Sequence, residues 1–191
     1  MAQLIDYTYF FGEINLPGSA LSGDYADIDD FIEKYEKEAL IHLLGYTHYK
    51  ELKAEIDAAS YSTKWSRLVN GHEYTINYLG KDQLVKWNGL INTDKDSLLA
   101  YYIYYSYVKF HVTHSSSVGE VLMKVENGDR FSISSKLVNA WNQFIMLRGM
   151  VGDQDIEPTA YNFLNEFEDD ATNGYDKWMF KELERMNTMG I

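Results

Sequence analysis

Between Leu98 and Val108 the chain reads Leu-Leu-Ala-Tyr-Tyr-Ile-Tyr-Tyr-Ser-Tyr-Val, with no charged residue. At 100° per residue, Leu98, Tyr102, Tyr105 and Lys109 share one side of a helix. Leu99, Ile103 and Phe110 share a second, and Tyr101, Tyr104 and Val108 a third. A helix that is apolar nearly all round is buried on most sides. Asp94 or Asp96 can cap its start, because a carboxylate accepts the free N–H groups of a first turn. The pattern predicts a helix from about Asp96 to His111, central to the fold, with other helices packed around it. It is too short to span a membrane, which takes about 20 apolar residues. The Tyr residues at 101, 102, 104, 105 and 107 could form an aromatic platform for a base or sugar. Rings that fill a core while their hydroxyls reach its rim fit better, because Leu and Ile occupy core-like positions on the same faces.

A chain of 191 residues with 46% hydrophobic content supports one domain, or one domain with extended ends. Cysteine is absent, which excludes a disulfide frame, a thiolate nucleophile and Cys-based metal sites. This suits an intracellular or assembly-based protein. Met1 to Asp6 show no basic stretch leading into a long apolar run, so no signal peptide is expected. The net charge of −12 is unevenly placed. Residues 1–44 carry nine acids and two bases, and residues 153–170 carry seven acids and no base. The middle, 45–152, has ten acids and twelve bases. Two acidic blocks flanking a balanced middle argue against a conventional DNA-binding surface, where clustered Lys and Arg replace phosphate counterions. They suit solubility, a basic partner, or a surface that repels DNA.

Read in order, residues 1–24 give an extended N-terminal arm. Tyr7, Tyr9, Phe10 and Phe11 form an aromatic cluster before Pro17-Gly18-Ser19. It reads equally as a docking segment and as an arm folded back on its own domain. The helical domain is expected over 25–170. Its first helix runs from about Ile28 to Leu44, capped by Asp27 or Asp29, with Phe31, Tyr35, Ala39 and Leu43 as an apolar stripe. Glu33, Lys34, Glu36 and Lys37 fall on its wet side. Gly45 ends it, and Thr47 to Ala58 form the next. Lys64 to Val69 make one or two turns, stopped at Asn70-Gly71. Tyr74, Ile76 and Tyr78 alternate with polar residues, a strand period. With a turn at Gly80–Gln83 and a return over Leu84–Trp87, this predicts a β-hairpin at about 73–88. A lone hairpin is marginal, so it must pack on the helical body or a partner. Val118 to Val125 read as strand or irregular, and Arg130 to Ile133 as a short strand. Further helices are expected from Ser134 or Ser135 to Met150 and from Pro158 to Phe167. Residues 171–191 form a C-terminal tail, extended or briefly helical, carrying Trp178, Phe180 and Ile191. The fold class is mainly α: a helical bundle around a central Tyr-rich helix, with an inserted β-hairpin and extended termini.

The sequence makes no positive case for catalysis. His111 and His114 stand at i, i+3 with no carboxylate at fixed spacing, which fits a helix end better than a metal site. Asp153 to Glu157 resemble a calcium loop only faintly, lacking the Gly and closing Glu at the right offsets. No phosphate loop, nucleophile elbow or H-E-x-x-H is present. No catalytic residue, metal site or cofactor is assigned, and the chain is read as a non-enzyme. The candidate interface residues are Tyr7, Tyr9, Phe10, Phe11, Trp87, Trp178, Phe180 and Ile191. With no core of their own, the two ends are expected to order only on binding.

Several phrases carry a resemblance. They are Tyr35 to Gly45 followed by Tyr49 and Leu52; Lys64-Trp65 with Gly71; Lys86-Trp87-Asn88-Gly89-Leu90; the Leu98–Tyr107 run; Asn139-Ala140-Trp141-Asn142; and Asn187-Thr188-Met189-Gly190-Ile191. Over roughly residues 30–191 the chain resembles head–tail connector (adaptor, head-completion) proteins of tailed phages and prophages of Bacteroides-like bacteria, including crAss-like phages. The motifs are packing motifs, and no functional residue carries over from them. The resemblance implies a homo-oligomeric ring, commonly twelve-fold, between the portal protein and the tail or further adaptors. Genomic DNA would pass through without specific binding and no membrane would be involved. Localisation would be the virion head–tail interface, and the host cytoplasm during assembly. Within this reading the hairpin is a channel loop or a tail-docking element. Other classes compatible with the residues are another phage assembly protein, a small hydrolase using an acidic cluster, and a monomeric ligand-binding module using the Tyr-rich region.

Overall fold

In chain order the protein builds helices α1 (Tyr25–Ala58) and α2 (Thr63–Asn70), strands β1 (His72–Tyr78) and β2 (Lys81–Trp87), and helix α3 (Leu98–Val112). Strands β3 (Thr113–Ser116) and β4 (Gly119–Leu122) and helices α4 (Ile133–Arg148) and α5 (Ala160–Glu166) follow. This is a computed structural model, and it describes residues 2–16, 25–116, 119–122, 133–151, 158–170, 172 and 174–186. The architecture is mainly α, with an antiparallel β1–β2 hairpin inserted between helices.

The charge-free run forms α3, as its all-round apolar pattern requires. Leu98, Leu99, Ala100, Tyr102, Ile103 and Tyr104 are buried. The helix packs on both α1 and α4. The Tyr102 ring lies 4.9 Å from Phe144, and Tyr105 lies 4.8 Å from Trp141. Tyr107 meets Phe31 of α1 edge-on at 5.1 Å. Its cap corrects the expectation of Asp94 or Asp96. Ser97 Oγ accepts the Leu99 N–H at 3.2 Å and donates to the Leu90 carbonyl at 2.6 Å. Ser97 is buried, and a hydroxyl can satisfy both demands there where an ionised carboxylate cannot. Beyond Val112 the chain passes directly into a second hairpin, β3–β4, which sequence periodicity did not separate from irregular structure.

Helix α1 is two segments joined at a break. Gly45 takes φ 76° and ψ 165°, outside helical space. Lys53 donates to the Ala2 carbonyl at 2.8 Å, while Glu36 accepts the Leu4 N–H at 2.9 Å. On a straight helix those two side chains would be rooted about 26 Å apart. Two residues of the chain span at most about 7 Å, and the two side chains with their hydrogen bonds do not make up the remainder, so the helix is not straight across Gly45.

The extended-arm reading of residues 1–24 is corrected for residues 2–16. Two short 3-10 turns, Tyr7–Tyr9 and Gly12–Ile14, fold this stretch back onto the body. Leu4, Ile5, Phe10, Ile14 and Leu16 join the same apolar cluster as the helices. The tail is corrected likewise. Residues 175–186 are neither helical nor detached, and Tyr175 is buried, its hydroxyl donating to the Lys64 carbonyl at 2.7 Å. The expected boundaries near 24 and 171 therefore do not mark off separate units among the described residues. Other differences are small. Helix α1 begins at Tyr25 rather than Ile28. Pro158 precedes the α5 cap Thr159, whose Oγ1 accepts the Asn162 N–H at 3.2 Å.

The hairpin is clamped at its base and free at its tip. The N–H groups of Leu90 and Ile91 bond the α2 carbonyls of Leu68 and Val69 at 3.1 and 3.0 Å. These are orphan acceptors of a helix C-terminus. A Cβ on Gly71 would stand 2.6 Å from the Trp87 carbonyl oxygen, so the backbones meet where only glycine fits. The turn is tighter than expected: Tyr78 pairs with Lys81, leaving Leu79 and Gly80 as a two-residue loop.

Gly45→Ala should destabilise the protein more than Gly80→Ala. Both force an L-residue to positive φ, at a cost of about 1–2 kcal/mol. Only at Gly45 does the new Cβ meet a neighbour, 2.8 Å from Met179 Cβ; at Gly80 nothing lies within 4 Å. Urea unfolding should separate the two variants, with Gly45→Ala less stable by about 1 kcal/mol or more.

Candidate functional site

The candidate interface residues do not form one surface. Tyr7 and Phe11 are exposed. Tyr9 is half-buried against the core. Phe10 is corrected to a core residue, because the 3-10 turn after Asp6 rotates it inward. Trp87 is likewise core. It stacks on Phe163 at 6.0 Å and its indole N–H donates to the Leu68 carbonyl at 2.9 Å. Trp178 and Phe180 are half-buried and cluster with Tyr161, at 5.6 and 4.9 Å. Ile191 lies outside the described residues. The exposed apolar side chains that the sequence reading missed include Leu79, Leu84, Tyr46 and Met179. Leu84 was hidden by register. It pairs with Thr75, whose neighbour Tyr74 points inward, so Leu84 points outward.

Among the described residues Glu36, His48 and Arg148 are buried ionisable side chains, and His48 is engaged by Glu51 and the Asp176 carbonyl. Glu36, expected on the wet side of α1, is only 5% exposed. Its Oε2 accepts the backbone N–H groups of Leu4 and Ile5 at 2.9 and 3.2 Å. Burial pushes its carboxyl up to about 7; the two N–H donors and the Lys53 charge pull the other way without cancelling that effect. A carboxyl poised near neutrality suits acid–base chemistry. Here the arm lies over it, and the oxygen is already engaged.

Arg148 is fully buried at the end of α4. Its guanidinium carbon sits 3.6 Å from the centre of the Phe180 ring. Its Nη2 donates to the Lys181 carbonyl and, at 3.4 Å, to the His42 carbonyl. Nε and Nη1 have no hydrogen-bond partner among the described residues. Burial lowers its pKa to about 10, which leaves it charged at neutral pH. Lys181 Nζ lies 3.2 Å from His42 Nε2. Burial, then the Lys181 charge, holds His42 below its ordinary value, so it accepts that bond as a neutral ring. The result is a cationic clamp binding residues 178–181 to the broken end of the first α1 segment.

The remaining candidates do not converge. Among the described residues, no group of three or more His, Asp or Glu is placed to hold a metal ion. The α3 helix ends at Val112, so His114 falls in β3 and does not share a helical face with His111. Asp153 to Glu157 lie outside the described residues. An open polar hollow is lined by Tyr61, Thr63, Ser66, Arg67, Gly71 and His72. Arg67 is already paired with Asp170 at 3.5 Å and lies over the Phe167 ring. Tyr102 and Tyr104 are buried, so these two rings offer no platform to a ligand. No helix among the described residues is long and apolar enough to cross a membrane. Comparison with protein-family models, curated proteins and solved structures gives no match.

Glu36 makes stability depend on pH with a definite sign. Its folded pKa of about 7 lies above its ordinary 4.5, so the folded state holds the proton more tightly. Stability is then greatest below about 4.5 and falls as pH rises through 7, by at most about 1.4 kcal/mol per unit. Glu36→Gln should flatten that slope. The difference between the two proteins isolates Glu36 from His42 and His72, whose burial-lowered pKa values slope the opposite way. Amide exchange at Leu4 and Ile5 should follow the same pH course.

Arg148→Ala should lower stability by about 2–4 kcal/mol, because it opens a cavity, removes the guanidinium from the Lys181 carbonyl and leaves the His42 carbonyl with the Lys181 N–H. Hydrogen exchange should rise across residues 175–186 before it rises in α3.

Proposed function

We propose that the chain is a structural virion protein, a head–tail connector that forms an oligomeric ring between portal and tail and lines or extends the DNA channel. The observation that carries this reading is the resemblance of residues 30–191 to connector proteins of tailed phages. The fold is taken as a helical bundle around α3, with the hairpin reaching out from it. Three features support the reading. The protein is mainly helical, with a clamped hairpin whose Leu79 tip stands in solvent. Two of its buried ionisable groups, Glu36 and Arg148, hold residues 4–5 and 181 of the chain itself. Its acid surplus is gathered in residues 1–44 and 153–170. Acidic segments facing a channel repel phosphate, which lets DNA slide rather than stick.

Cryo-EM of intact virions of the phage that encodes this chain, focused on the portal vertex, tests the proposal. A ring of this fold between portal and tail is the expected result. A well-resolved vertex without it rejects the connector reading. A ring whose acidic segments face outward keeps the connector and rejects the channel-wall role.

A further inference from the structure

Residues 175–186 lie on the body as a peptide lies in a groove. From Trp178 to Met186 the segment is neither helix nor strand, and other elements bond its backbone. On the α1 side, His48 Nε2 donates to the Asp176 carbonyl at 2.9 Å. The Leu44 and His42 carbonyls accept the Met179 and Lys181 N–H groups. On the α4 side, Arg148 donates to the Lys181 carbonyl, and Trp141 Nε1 to the Glu184 carbonyl at 2.8 Å. The Asn142 amide takes both main-chain groups of Met186. It accepts the N–H at 2.8 Å and donates to the carbonyl at 3.1 Å. Contacts of this kind read a main chain, which every peptide carries. They give affinity, and side-chain fit gives specificity.

The side chains of the segment fit unequally. Phe180 is well placed, its ring 3.6 Å from the Arg148 guanidinium carbon and 4.9 Å from the Tyr161 ring. Lys181 is not. Its ammonium lies 3.2 Å from His42 Nε2, and the Arg148 charge acts on the same ring. Because Nε2 accepts from Lys181, His42 Nδ1 carries the ring hydrogen. Nδ1, Arg148 Nε and Arg148 Nη1 are buried without a hydrogen-bond partner among the described residues. The carboxylate that acts on His42 is Glu38, and the Tyr102 hydroxyl engages it. Buried donors without acceptors are costly. In a chain of net charge −12, this one spot is short of negative charge. Lys181 is also exposed, so its position is open to a different residue.

We propose that the face of α1 and α4 beneath residues 178–186 is a docking groove for a non-helical peptide of a partner protein, with an aromatic residue at the place of Phe180 and an acidic one at the place of Lys181. The chain's own segment fills the groove as an imperfect stand-in. A partner peptide displaces it by offering the same main-chain groups and the missing negative charge.

The test uses the full chain and a fluorescein-labelled synthetic peptide of residues 175–186, native or carrying Lys181→Glu, followed by fluorescence polarization. The peptide with Lys181→Glu should bind the wild-type chain about fivefold or more tightly than the native peptide. Changes to the segment and to the groove should act in opposite directions. In the chain, Lys181→Pro removes the N–H that bonds His42, so it should free the groove and raise binding of both peptides. Asn142→Ala should lower binding about tenfold, because it removes two hydrogen bonds to the peptide backbone. Exchange protection in α3 identifies a variant that keeps its fold. Lys181→Glu in the chain itself is a surface change that tests the charge argument without relying on the other variants. It should raise the melting temperature, slow exchange across residues 175–186 and raise the His42 pKa followed by NMR. Failure of both peptides to bind the wild-type chain, equal binding of the two, or binding indifferent to Asn142→Ala would overturn the groove. A Lys181→Glu chain with a lower melting temperature and faster exchange in the segment would overturn its preference for an acidic residue.

Discussion

The helix break at Gly45 is the constraint on which the rest of the fold depends. A helix that stops leaves carbonyls without partners, and the first α1 segment stops inside the protein, where water does not supply them. Residues 179–181 answer this need. Met179 and Lys181 donate their N–H groups to the Leu44 and His42 carbonyls at 3.3 and 3.0 Å. Arg148 adds a guanidinium to the His42 carbonyl, and a cation is favourable at a helix C-terminus. A distant stretch of chain thus completes a helix end, and α1, α4 and the C-terminal segment are fixed relative to one another.

The N-terminal segment is held by opposite chemistry. Its backbone N–H groups at Leu4 and Ile5 have no strand or helix to join, and the Glu36 carboxyl takes both. One buried acid secures one end of the described chain and one buried base the other, and both act on α1 or its break. Neither side chain has an oppositely charged partner in direct contact among the described residues. Each gains its place by satisfying backbone groups, which are costly to leave unmade in an apolar interior. Both side chains thus bind backbone groups of the chain itself, although a raised acid and a buried arginine are what a search for catalytic groups would first select.

With both ends folded in, the exposed apolar surface is not confined to them. It includes the hairpin tip and the outer side of the α1 break, which a view of the termini as free docking arms would overlook. The hairpin is anchored where α2 ends, so motion at its base would break the Leu90 and Ile91 hydrogen bonds. A rigid ribbon would lose little conformational freedom on docking.

The sequence by itself determined the elements. The charge-free run required a buried helix, because eleven residues with apolar or aromatic side chains on every side have no wet face to offer. Gly45 and Gly71 marked helix ends, and strict alternation marked the hairpin. These signals are local, acting within a turn or across adjacent strands. The tertiary structure alone decided which way Glu36, Phe10, Trp87 and Leu84 face. Glu36 sits among residues that read as a solvated face, and only the arm folding over it buries it. Phe10 and Leu84 depend on a turn and on a register, and shifting either by one residue reverses the side chain. The ends looked coreless because the surface that receives them is made by other elements, brought together by the bend at Gly45.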